Sequence, residues 1–257
     1  MKKINSFWYC VILFAGLVLM ANKCEKEPEE EPQTITDIDG NLYEIVQIGD
    51  QWWMAENLKV TKYRNGDLIE TTSPATLNLR EVVYNGGRPK YQWAYDGNES
   101  NVGLYGRLYT WFTITDGRGV CPAGWHVPSY DEWMILQDHL IENNYNYDGT
   151  TSGNKISKAM AALTNWVQTD ITGTPGNTDF AQKRNASGFR ALPAGVRWTD
   201  GRFDGLGCSG NWFTSTNYYD DYDGIFRAFV IYTNSYTLVA ATCDHEADAI
   251  SVRCVRD

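Results

Sequence analysis

Hydrophobic and polar positions divide the chain into three stretches. Lys2 and Lys3 lead into a continuous apolar run of 15 residues, Phe7 to Ala21. That run is short for a bilayer span, which needs about 20 residues. Its charged start and polar exit are the plan of a secretory signal over residues 1–23. Residues 24–34 carry almost no apolar position: Glu25-Lys26-Glu27-Pro28-Glu29-Glu30-Glu31-Pro32 is charged and broken by proline, so it buries nothing and reads as a flexible tether. From 35 to 257, short apolar runs alternate with turn dipeptides, the pattern of one folded domain.

Within that domain Asp39-Gly40, Gly49-Asp50 and Asn65-Gly66 punctuate runs containing Tyr43, Ile45, Val46, Ile48, Trp52, Trp53 and Met54, which predicts a meander of strands over 34–72. Residues 73–103 are polar and irregular, a long loop or insertion with a Gly86-Gly87 break. The stretch 103–112 fits a core strand or a short helix equally well. Ser129-Tyr130-Asp131-Glu132 is a capping box with Trp133, Leu136, Leu140 and Ile141 at helical spacing behind it, so a helix is predicted from about Ser129 to Glu142. A second helix is predicted near Asn154 to Leu163, with Ile156, Met160 and Leu163 on one stripe. Beyond Asn165 the pattern returns to strands and turns. Strands, then two helices, then strands make an α+β domain.

Charge changes the picture of partners. The net charge is −10, and loss of residues 1–23 with Lys2, Lys3 and Lys23 makes it −13 (−10 − 3). So acidic a surface repels phosphate backbones and anionic headgroups, which argues against nucleic acid and leaves the membrane only an anchor. The acidic run after Cys24 resembles the tether of Bacteroidetes lipoproteins, in which the cysteine after the signal is lipidated and an acidic stretch accompanies export to the cell surface. That likeness implies lipidation of Cys24 and an outer-membrane, surface-exposed address. Lys23 departs from the usual small residue before such a cysteine. The alternatives are cleavage near Ala21, giving a secreted protein with free Cys24, or an uncleaved anchor.

With Cys10 in the signal and Cys24 carrying lipid, Cys121, Cys208, Cys243 and Cys254 remain, an even number in an oxidising compartment. Spacing leaves all three connectivities open, and no C-x-x-C pair indicates zinc or redox chemistry.

Five blocks then resemble the Fibrobacter succinogenes major paralogous domain family: Asp37 to Lys62, Gly103 to Trp111, Cys121 to Trp133, Gly188 to Trp198 and Ile250 to Asp257. They run in order through nearly the whole mature chain. The resemblance implies a fold similar to the C-type lectin-like domain, two helices flanking a twisted antiparallel sheet, with the termini meeting and a long loop region on one side. It also implies that Cys121 pairs with Cys254 and Cys208 with Cys243. The family implies no defined activity.

Local signals for catalysis are absent. His126, His139 and His245 form no linear metal motif, and neither a phosphate-binding loop nor a nucleophile elbow occurs. His126 reads as a core or turn residue and His139 as solvated. Asp220, Asp221 and Asp223 with Gly224 are candidate calcium ligands, although the spacing is not that of an EF-hand and the tripeptides of sugar-binding C-type lectins are missing. Trp212, Tyr218, Tyr219 and Tyr222 crowd the segment that the resemblance assigns to the loop face, where exposed aromatics stack on sugars or anchor a protein partner. Trp52, Trp125 and Trp133 read as core. The expectation is a non-catalytic, surface-exposed binding or adhesion module for a glycan or a surface protein, with no cofactor required except a candidate calcium ion. A structural envelope or pilus-tip component is one alternative. The other is an enzyme related to the formylglycine-generating superfamily, with Cys208 and Cys243 as its reactive pair. Oligomeric state is not legible.

Overall fold

The structure, a computed structural model, describes residues 33–217, 226–243 and 247–257, with Cys243 described in its backbone alone. The expected signal, Cys24, His245, and the expected ligand and calcium positions Tyr218, Tyr219, Asp220, Asp221, Tyr222 and Asp223 lie outside the described residues.

Short strands separated by tight turns cannot build one wide sheet, and the described residues form three smaller antiparallel ones. In the first, β1 (Thr34–Thr36), β2 (Leu42–Ile48) and β3 (Gln51–Met54) form the expected meander. The turn between β2 and β3 needs Gly49, whose φ is +61° and whose Cα lies against the His139 ring. The sheet then takes β13 (Val255–Arg256) beside β3 and β6 (Trp125–His126) at its edge. Val255 stands opposite Trp53, so the two ends of the domain meet in adjacent strands. A disulfide between Cys121 and Cys254 fastens the same place, with Cα atoms 6.0 Å apart across a sequence separation of 133. Closing so long a loop contributes roughly 2–5 kcal/mol against the unfolded chain.

The second sheet has the order β4 (Gln92–Trp93), β5 (Leu108–Thr110), β12 (Ala249–Ile250), β7 (Ala194–Arg197), β8 (Phe203–Leu206). Residues 103–112 therefore resolve into a helical turn at Val102–Tyr105, then β5, then a second helical turn that begins at Trp111. The third sheet is β11 (Val239–Cys243), β10 (Phe226–Tyr232) and β9 (Ser209–Asn217).

The main helix spans Tyr130–Glu142 with Ser129 as its N-cap, and the capping box is complete in both directions. It ends at Asn143 and Asn144, the latter at φ 66°, a left-handed residue that stops helical hydrogen bonding. Its buried stripe is Trp133, Leu136 and Leu140, packed with Trp53, Phe189, Trp212 and Phe229 in one aromatic-rich cluster. Fully burying each such side chain contributes about 1.5–3 kcal/mol.

The second expected helix is only one turn, Ser157–Met160. Ile156 and Met160 are buried as expected, but Leu163 is 60% exposed. After Met160 the backbone turns extended, because the Ala162 amide is claimed by Ala191 O and Ala161 bridges to Ala191. A tertiary partner thus replaces the next helical hydrogen bond.

The register of the third sheet also corrects the expected Cys208–Cys243 bridge. Cys208 directly precedes Ser209, which faces Tyr232 at one end of β10, whereas Cys243 faces Phe226 at the other. Seven residues of strand place them about 20 Å apart, far beyond the ~7 Å that a disulfide can span. Cys208 is exposed and free.

At the junction of the three sheets lies Arg253, fully buried. Its Nε donates to Asn57 Oδ1 at 3.0 Å, one terminal nitrogen to Met54 O and Phe189 O, and the other to Arg190 O at 2.7 Å. The guanidinium plane lies 4.2 Å from the Phe189 ring centroid. Full burial pulls its pKa down to about 9. Arg253→Met preserves the aliphatic stem but leaves these acceptors unsatisfied, so a loss of about 3–5 kcal/mol is expected in urea denaturation. A loss below about 1 kcal/mol would show that the knot is dispensable.

Candidate functional site

Trp212, expected on the ligand face, is instead wholly buried. It sits in β9 facing the core, its indole N–H donates to Asn57 Oδ1 at 2.9 Å, and its ring packs between Trp133 and Phe189. No face remains for a ligand. Trp125 and Trp133 are core as expected, and Trp52 is half-buried against the first cluster.

Away from these, three aromatics from distant segments converge at the surface. Tyr147 lies 5.2 Å from Phe180 and 5.7 Å from Tyr236 between ring centroids, with the planes inclined by 54° and 56°. Tyr236 is 42% exposed, and Tyr147 and Phe180 are half-buried. Such a platform has apolar faces to stack on and phenolic edges to hydrogen-bond.

Each member is held by buried polar groups. Asn146 is completely buried, and its side chain accepts from Lys155 N at 2.9 Å and donates to Thr150 O and Gly153 O, folding residues 146–155 into a compact loop that presents Tyr147. Ser157 fixes Tyr236 through its amide to Tyr236 O at 3.1 Å and its hydroxyl to Ser235 O at 2.7 Å. Asn154 clamps the same turn by bonding both backbone groups of Leu238. Lys158 fixes Phe180, because its ammonium holds Asn177 O at 2.7 Å and Asp179 O at 2.8 Å. Phe180 then follows at φ 44°, ψ 49°, a left-handed conformation costly for a bulky residue and of a kind concentrated at functional sites. Adjacent residues of the one-turn helix, Ser157 and Lys158, therefore aim two of the three rings.

Gly173, at φ +77°, completes the support. A Cβ there would fall 2.3 Å from the Tyr147 ring, so the bare backbone lies flat on one face of the tyrosine. At the rim, Lys155 pairs with Asp148. That carboxylate raises the lysine's pKa, and the Tyr147 and Tyr236 phenols add to the effect. The platform was missed from the sequence because its rings share no motif and no spacing; only the strained Phe180, invisible in sequence, marks it.

Among the described residues a histidine elsewhere is held in a structural ion-pair cluster. His126, half-buried on β6, is bound by Asp257 Oδ1 at Nδ1 (2.7 Å) and by Glu132 Oε1 at Nε2 (2.8 Å). Glu132 also closes the capping box, so the imidazole ties the start of the main helix to the end of β13. His139 is half-buried on the main helix beneath Gly49. Among the described residues no group of three or more His, Cys, Asp or Glu is arranged to hold a metal ion. None of the described helices is long and apolar enough to cross a membrane.

Among the described residues these features define a mixed domain, mostly antiparallel sheet with few helices and one disulfide, that presents aromatic side chains on braced loops. The chain belongs to the Fibrobacter succinogenes major domain family, whose profile matches residues 46–256. A search of curated proteins and a search of solved structures each returned no match.

Partial burial pulls the His126 pKa down, but the two carboxylates outweigh it and the net shift is upward from 6.5. The protonated ring therefore contributes stability that is complete below about pH 6.5 and is lost as pH rises through the raised value. Thermal midpoints of the wild type are expected to fall between about pH 6 and pH 9, and His126→Gln to flatten that slope. Superimposable pH profiles of the two proteins would contradict the clamp.

Proposed function

We propose that the protein is a lipid-anchored, non-catalytic binding module of the bacterial cell surface and that its ligand is a glycan. The observation that carries this reading is the braced platform of Tyr147, Phe180 and Tyr236. Tyr147 in contact with Phe180 and Tyr236, all three partly open to solvent, offers sugar faces a stacking surface. A rigid scaffold with side chains already in place limits the entropy lost on binding.

The scaffold we propose is of the C-type lectin-like kind. Adjacent terminal strands, the bridge between Cys121 and Cys254 and a long helix against the sheet support it. The one-turn second helix is a departure from that plan. The distance between Cys208 and Cys243 weighs against the enzyme alternative, whose two reactive sulfurs must meet. For the anchor, the support is Cys24 behind a signal-like segment and ahead of an acidic run.

Two experiments test these claims. On a glycan array the purified protein is expected to give saturable binding, and Tyr236→Ala to weaken it about tenfold, the effect of removing one anchoring aromatic. Binding unaffected by both Tyr236→Ala and Tyr147→Ala would remove the platform from consideration. In cells fed an alkyne fatty acid, label is expected on the wild type and to vanish in Cys24→Ser; equal labelling of both refutes the anchor.

A further inference from the structure

Lys158 is completely buried, a rare state for a lysine without a full set of partners. Its ammonium has three N–H groups and three oxygens around it: Asn177 O at 2.7 Å, Asp179 O at 2.8 Å and the carboxylate Asp179 Oδ1 at 2.7 Å. Two main-chain carbonyls and a carboxylate oxygen from one tight loop make three acceptors, about half of the six that calcium takes at least, and they match in number the three N–H groups of one ammonium. The two carbonyls accept charge-assisted N–H···O bonds, Asp179 Oδ1 stands at ion-pair distance without accepting a hydrogen bond, and all three distances are longer than the 2.3–2.6 Å of calcium–oxygen bonds. The cage contains acceptors only, so the charged amine is the form that fits it.

The rest of the site hangs on this cage. The Asn177 side chain accepts from Asp179 N, turning the loop so that both carbonyls face inward. Asp179 Oδ2, the oxygen next to the one facing the ammonium, accepts from Gly173 N at 2.9 Å. Gly173 is the residue that lies flat on Tyr147, and Phe180 follows Asp179 directly. One cation thus governs two of the three rings, from opposite sides of the loop.

We propose that Lys158 is the built-in cation of the aromatic platform: its ammonium is the positive charge around which the 173–180 loop closes, so the platform holds its binding shape without calcium. The consequence for ligand capture rests on the glycan-binding reading above; the consequence for loop order does not. Regulation by calcium is thereby excluded at this site, and a variant lacking the amine acquires a vacant cage open to a small exogenous cation.

Hydrogen exchange followed by mass spectrometry, on the full chain without ligand, separates the two. In the wild type, protection of 173–184 is expected to be the same with a chelator and with millimolar calcium. Lys158→Met, which keeps the length of the stem, is expected to speed exchange in that segment at least tenfold while the main helix keeps its protection. Lys158→Ala is expected to behave alike and to regain protection when methylammonium is added. If Lys158→Met does not fold, Asp179→Asn gives the same reading, with a smaller loss confined to 173–184. Calcium-dependent protection in the wild type, or an unchanged segment in the folded lysine variant, overturns the proposal. Glycan binding measured in parallel reports on the platform alone: its absence together with the predicted exchange pattern rejects the ligand and keeps the cation.

Discussion

A buried guanidinium hydrogen-bonded to amide and carbonyl oxygens is the constraint around which this domain is organised. Arg253 reaches the backbone of β3 at Met54, the side chain of Asn57 behind it, and the turn at Phe189 and Arg190. Asn57 in turn receives Trp212 from β9 and donates to Tyr105 O and Ser251 Oγ. A charge in the interior is tolerated where hydrogen bonds replace its lost water, and Arg253 makes four. The acceptors supplied here are the Asn57 amide oxygen, the carbonyl at the end of β3 and two carbonyls of the turn at 189–190, all of which themselves need donors. Each deficiency cures the other, and strands too short to form one sheet are held as three around a common point.

The same exchange recurs further out. Arg197 is buried in β7, stacks 4.0 Å above Trp93, and donates to Ala75 O, Leu77 O and Trp198 O, which pins the long polar segment after β3 onto the second sheet. Burial lowers its pKa to about 10. Lys158 does this for the 173–180 loop. A chain with a net charge of −10 thus spends several of its cations inside, where each one orders a stretch of loop that has no ladder of its own.

Ordered loops are what a binding surface requires. Strands and the main helix give the domain its rigidity, but the rings of the platform stand on connections: Tyr147 after the main helix, Phe180 in the loop past the one-turn helix, Tyr236 in the turn between β10 and β11. The platform lies towards the Tyr232 end of the third sheet, away from the end where Asn217 faces Phe226. Strain at Phe180 persists because Lys158, Asn177 and Asp179 together over-determine that turn.

Local signals were legible where the physics is local. The main helix follows from the Ser129–Glu132 box and a stripe three and seven residues apart, and the β2–β3 turn from Gly49-Asp50, since both are decided within a few residues of sequence. Membership of the family was likewise written in blocks of contiguous residues. The one-turn helix at Ser157, the burial of Trp212 and the separation of Cys208 from Cys243 were not legible. Ala191, Asn57 and the register of β10 decide them, and none lies within reach of a local pattern. An aromatic residue carries no mark of whether its ring will face the core or the solvent. By itself the sequence determined the main helix and the β2–β3 hairpin; only tertiary structure decided which rings meet at the surface, because their positions are set by buried polar groups, Asn146, Ser157 and Lys158, bonding to backbone that no local pattern places beside them.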